Sequence, residues 1–167
     1  MESVLAKSSF EKQIPWENRW SAPNLEPLME GIVDPNRRKL IQGLMERFRE
    51  FEGVEELIMW HGSAWKWTVQ YTLCDANGQE IDVLAYVVPE PMLPVVCIPL
   101  RESVLTKMPV KRLNRYIREA LRSAKCAVHL YWAMWTPNAS TECDHLTDLF
   151  KRKHKITQSE HLPAKSA

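Results

Sequence analysis

The sequence predicts an α+β fold in which an antiparallel sheet of about five strands carries helices packed mainly on one face. Three observations lead there. Trp65, Trp67, Val69, Tyr71 and Leu73 alternate with Lys66, Thr68, Gln70 and Thr72, the period of two that a strand imposes. Asn77-Gly78 follows, the strongest short hairpin signal, since both residues tolerate the positive φ of a type I′ turn. Two stretches, 35–52 and 109–124, place apolar side chains at helical spacing.

Residues 1–34 hold Pro15, Pro23 and Pro27 with Trp16 and Trp20, and show neither strand alternation nor a sustained helical stripe. They read as an arm lying on the domain, because leaving each large apolar side chain in water forgoes about 1.5 to 3 kcal/mol. Asp34-Pro35 opens the first helix, with the Asp as N-cap and the Pro where its missing N–H costs nothing. Leu40, Ile41, Leu44, Met45, Phe48 and Phe51 then recur until Gly53.

A three-strand meander covers 55–88. The Asn77-Gly78 turn sets Leu73 opposite Asp82, Tyr71 opposite Leu84, Val69 opposite Tyr86 and Trp67 opposite Val88. A type II′ turn at Gly62-Ser63 pairs Trp60 with Trp65 and Ile58 with Trp67. Trp60, Trp65, Trp67, Tyr71 and Tyr86 then share one face, and His61 alternates to the other.

Pro89, Pro91 and Pro94 lead into a strand near 95–100, where Pro99 suggests a sheet edge or a strand end. After a helical turn at 102–107, Pro109 opens a helix to 124 with Leu113, Ile117, Ala120, Leu121 and Ala124 inward. A fifth strand at 126–135 is rich in aromatic and β-branched residues. A last helix spans 141–152. The single α+β domain thus covers 35–155, and 156–167 reads as a frayed tail.

The 167 residues are 45% hydrophobic and 26% charged, an ordinary globular balance, and a chain this long buries a core without metal or disulfide staples. Net charge is only +1, which excludes a globally basic nucleic-acid protein. No leader-like segment and no run of 18 apolar residues is present, so a cytoplasmic protein without a membrane span is expected. Cys74, Cys97, Cys126 and Cys143 are too widely spaced for a disulfide framework and read as reduced thiols.

Most familiar chemistries fail on spacing. Cys126, His129, Cys143 and His145 do not converge on a metal, because residues three apart on a strand face oppositely and residues two apart on a helix diverge. Glu142 and Asp144 disfavour a Cys143 thiolate. No G-x-S-x-G elbow, P-loop or G-x-G-x-x-G occurs. Glu80 and Asp82 share a strand face but sit near a hairpin tip, where solvated rim charge is expected.

Two surfaces survive as candidates. Trp60, His61, Trp65, Trp67 and Tyr86 form a candidate ligand-binding set, since indole and phenol rings offer apolar area with one polar handle; core packing is the bland alternative. Lys111, Arg115, Arg118, Arg122 and Lys125 recur along one side of the helix as a candidate anion-binding stripe, with an ordinary solvated face as its alternative. The stripe lies in a half of the chain, 101–167, with 13 basic and 6 acidic residues, against 9 and 15 in 1–100.

Trp60-His61-Gly62, Trp65-Lys66-Trp67, His129-Leu130-Tyr131-Trp132 and Asp148-Leu149 give residues 35–155 a pattern that resembles small bacterial α+β domains of unknown function. The resemblance implies a fold and no activity. The expected function is a non-catalytic module binding a small molecule or a protein, with no cofactor. Two alternatives are an enzyme with a cleft near His61 and the tryptophans, and a protein meeting nucleic acid or another anionic partner through the basic helix 109–125.

Overall fold

A computed structural model describes residues 14–161. It is an α+β fold with a six-stranded antiparallel sheet and six α-helices among the described residues. In chain order these are α1 (Leu25–Glu30), α2 (Pro35–Arg49), β1 (Val54–Trp60), α3 (Gly62–Trp65), β2 (Trp67–Cys74), β3 (Glu80–Val88), β4 (Val95–Arg101), α4 (Glu102–Thr106), a 3₁₀ turn (Val110–Arg112), α5 (Arg115–Ser123), β5 (Lys125–Ala127), β6 (Leu130–Trp135) and α6 (Ser140–His161). Strand order across the sheet is β1-β2-β3-β4-β6-β5. Among the described residues no helix is long and apolar enough to cross a membrane.

The core lies between one sheet face and helices α2 and α6. Phe48 of α2 stacks on Phe150 of α6 at 4.1 Å and meets Tyr71 of β2 edge-on at 5.3 Å. Val69, Leu73, Val87, Val96, Ile98 and Leu100 complete that buried face. The Tyr71 hydroxyl donates to Glu56, which also takes Arg49 Nε, so the one polar group on the buried ring is satisfied. Asp34 caps α2 by accepting from Asn36 N, as the sequence predicts. At Gly53, φ is +75° and a Cβ would stand 3.0 Å from the Cys74 carbonyl, so only glycine joins α2 to β1 this closely.

The meander is present, but its register differs from expectation in two places. First, Asp75 accepts from both Asn77 N and Gln79 N, converting the expected two-residue turn into a wider loop that closes on Cys74 opposite Glu80. Second, β3 bulges at Val83 and Leu84, so Leu73 still faces Asp82 while Tyr71 faces Ala85 and Val69 faces Val87. One extra residue moves every later side chain to the other face. Tyr86 therefore lies opposite Gln70, away from the core.

The bulge has a visible cause. Lys153 of α6 is fully buried, and its ammonium donates to Val83 O at 2.7 Å, to Leu84 O at 3.2 Å and to Pro99 O. A regular strand points consecutive carbonyls to opposite sides, so only a bulge presents both to one donor. Pro99 stands in the sheet interior rather than at an edge, paired with Trp132 of β6. The β3–β4 ladder runs only from Val88↔Val95 to Tyr86↔Cys97, so the N–H that Pro99 lacks faces a gap already filled by the lysine.

Four further expectations change. The Gly62-Ser63 turn is the helical turn α3, with Lys66 N donating to Gly62 O, so Trp60 pairs with Trp67 and Ile58 with Val69. The predicted helix 109–124 breaks at Leu113, because Asn114 accepts from Tyr116 N and starts α5 afresh. The predicted strand 126–135 is a tight hairpin, β5 and β6, turning at Val128-His129 with φ of 54° and 63°. The last helix reaches His161 with Thr157 buried, and 162–167 lie outside the described residues, so the expected tail is helical through its first six positions.

Candidate functional site

An aromatic cavity opens on the sheet face opposite the α2–α6 core. Its first wall comes from α3: the His61 N–H donates to Lys66 O while Gly62, at φ +85°, lets the chain coil. Trp65 emerges from this turn on the far side of the sheet from Trp60. The bulge supplies the second wall by turning Tyr86 the same way. The β5–β6 hairpin supplies the third, because Trp132 lies across from Lys125 and its Nε1 donates to Ala127 O at 3.1 Å. Ala120, Ser123 and Ala124 at the end of α5, with Met134 of β6, close the remainder.

The cavity measures about 640 Å³, within the range of small-molecule sites. Ring centroids stand 5.3 Å apart for His61 and Tyr86, 5.3 Å for Trp65 and Tyr86, 6.1 Å for Tyr86 and Trp132, and 6.2 Å for Trp65 and Trp132. These are the distances of rings touching one another. The four rings thus form a continuous wall, not a cage with room for a cation between them.

Electrostatics keep that wall neutral. Burial lowers the His61 pKa below its ordinary 6.5, outweighing the Gln70 amide that favours the charged ring. His61 is therefore uncharged at neutral pH, and its buried Nε2 has no hydrogen-bond partner among the described residues. Burial likewise raises the Tyr86 pKa. The Ser123 hydroxyl is occupied by the helix carbonyls of Glu119 and Ala120. Among the described residues, Lys125 brings the one formally charged group to the cavity.

Of the five residues singled out as a ligand-binding set, the structure brings His61, Trp65 and Tyr86 together and separates Trp60 and Trp67 from them. Trp60 and Trp67 meet edge-on at 5.6 Å on the opposite face, where Trp67 is buried and its Nε1 donates to Asn18 O. The single aromatic face read from the sequence is overturned, because the α3 turn and the β3 bulge each change which side a ring takes. Trp132 and Met134 were not in the set; the alternation of Leu130, Trp132 and Met134 against Tyr131, Ala133 and Trp135 carries that signal once the hairpin is recognised.

The basic stripe is also divided. Lys111 sits on the 3₁₀ turn, Lys125 has joined the aromatic cavity, and Arg115 is exposed and paired with Glu119 at 2.7 Å. Arg118 and Arg122 remain together on α5 and share a separate groove with Lys111. Among the described residues no three His, Cys, Asp or Glu side chains are placed to hold a metal. Cys126 is exposed, while Cys143 is buried with its thiol pKa pushed up to about 11, chiefly by that burial.

Comparisons with protein-family models, with curated proteins and with solved structures find no match.

Proposed function

We propose that the protein is a non-catalytic binding module whose aromatic cavity takes a small molecule with a flat, apolar body. The observation that carries this reading is the convergence of His61, Trp65, Tyr86 and Trp132 from three separate connections onto one 640 Å³ space. A ring-bearing ligand would lie against this wall, gaining dispersion and apolar burial, with Lys125 at the margin to orient a polar substituent. Four free cysteines fit a reducing compartment, and we place the protein in the cytoplasm on that ground.

The enzymatic alternative has less support. His61 is neutral enough to act as a base, yet among the described residues the cavity offers it no orienting carboxylate, and the Ser123 hydroxyl is already donating to its own helix.

Neutral 2-naphthol is a suitable probe, titrated against tryptophan fluorescence and the indole N–H signals. Trp132→Ala is expected to weaken its binding about tenfold or more, a loss of one stacked ring face, while Trp60→Phe on the core side leaves it unchanged. Binding equally sensitive to both variants, or shifts confined to indoles other than Trp65 and Trp132, would overturn the assignment.

A further inference from the structure

The groove between α4, the 3₁₀ turn and α5 lies apart from the aromatic cavity and has a different character. Its space is about 450 Å³. Val110, Leu121 and the Tyr131 ring give it an apolar lining, and Lys111, Arg118 and Arg122 bring three cations to it. No carboxylate among the described residues pairs with any of the three.

That lack of partners is informative beside the neighbours. Arg115 holds Glu119 on the same helix, and Lys107 and Arg101 hold Glu160. Arg118 and Arg122 stand one turn apart, a spacing at which like charges repel. Arg118 is half-buried, and its Nε is closed off from solvent without a hydrogen-bond partner. Desolvating a guanidinium among other cations is costly unless an anion joins them. Arginine forks match the oxygens of phosphate two at a time, and three positive charges suit a dianion better than a single carboxylate.

We propose that this groove is a second binding site, for a phosphate monoester whose esterified group is apolar or aromatic. The phosphate would meet Arg118, Arg122 and Lys111, and the esterified group would lie on Leu121 and the Tyr131 ring. The site is independent of the aromatic cavity, since α5 presents Arg118 and Arg122 to the groove and Ala120, Ser123 and Ala124 to the cavity.

Titrating phenyl phosphate, inorganic phosphate and phenol separately into the full chain, with arginine side-chain N–H signals as readout, tests the proposal. Phenyl phosphate is expected to bind about tenfold or more tightly than either fragment, because two adjacent subsites are filled by one molecule. Arg118→Gln with Arg122→Gln should remove at least about tenfold of that affinity, while Trp132→Ala leaves it unchanged. Lys111→Gln, which lies outside α5, should weaken binding in the same direction and serves if the double variant does not fold. Phenyl phosphate binding no better than inorganic phosphate would mean an adventitious ion only and would overturn the proposal. So would a single-stranded oligonucleotide whose affinity rises with its length, which would assign the cations to a nucleic-acid backbone instead.

Discussion

Lys153 shows how one side chain can set the register of a sheet. Its ammonium answers three carbonyls that the β3 bulge and Pro99 would otherwise leave buried and unpaired. Burial lowers its pKa from 10.5 to about 8, with Asp82 and Cys97 favouring the charged form and Arg101 opposing it. Above that value the folded chain releases a proton that the unfolded chain still binds, so stability rises with pH from about 8 towards 10.5. Cys97 works the other way, since burial pushes its thiol from 9.0 up to about 12, and unfolding then releases a proton at alkaline pH. Burial also raises the Cys74 and Cys143 thiols, so three thiols oppose the lysine between pH 8 and 9. The lysine's own gain of about 1 kcal/mol per pH unit is read there as the difference in urea unfolding between the wild-type chain and Lys153→Met. Lys153→Met should abolish the gain and lower stability at neutral pH, because three carbonyls lose their donor; a slope unchanged in the variant would reject the assignment. None of this is legible in the sequence, where Lys153 stands in a basic tract, Lys151 to Lys155, that reads as solvated surface.

At the level of elements, what could be read was what depends on neighbours in the chain. Asp34-Pro35 starts α2 and the Trp67–Cys74 alternation is β2, because caps and pleat are local. The exceptions were also local, but each overrode a stronger-looking signal nearby: Asp75 reshaped the Asn77-Gly78 loop, Asn114 interrupted the helical stripe, and the β5–β6 hairpin turns through residues that do not favour a turn. Val128 is the clearest case. It is β-branched, 86% exposed and held at φ 54°, a conformation such residues rarely adopt. Its neighbour His129 is also at positive φ. This strained tip carries Lys125, Ala127 and Trp132 into the cavity wall, so the cost falls where the hairpin is needed. Val128→Asn combined with His129→Gly supplies the pair a type I′ turn prefers. The double variant should gain about 1 to 2 kcal/mol in urea unfolding, with 2-naphthol affinity retained. A loss of stability would show that Val128 has a packing role its exposure does not suggest.

Across the whole molecule, the two sheet faces divide the aromatic residues by purpose, and the N-terminal segment joins them. Trp67 and Trp60 belong to the core side, Trp65 and Tyr86 to the cavity side, and the partition follows from the α3 turn, which takes Trp65 out of the strand, and from the one-residue bulge in β3. The segment before α1 reaches both. Trp16 is buried in the core cluster, its Nε1 donates to Trp65 O at 2.9 Å, and Lys66 stands 4.5 Å over its ring. The chain there also receives the Trp67 indole at Asn18 O, so these residues are fastened to the α3 turn that aims Trp65 into the cavity. Proline content marked the segment as irregular and its tryptophans as bound for burial, but which tryptophan is buried depends on a partner about fifty positions away. Trp16→Ala should cost about 3 to 5 kcal/mol, the usual range for truncating a buried large ring, and should weaken 2-naphthol binding as Trp65 loses its anchor. Trp20, 89% exposed four residues later, provides the control, and Trp20→Ala should stay within about 0.5 kcal/mol with full binding. If the alanine variant does not fold, Trp16→Phe keeps an apolar ring while deleting the donor to Trp65 O, at about 1 kcal/mol and with the same direction of effect on affinity. Unfolding measurements in which Trp16 and Trp20 respond alike would separate the segment from the core, and intact 2-naphthol binding in Trp16→Phe would separate it from the cavity.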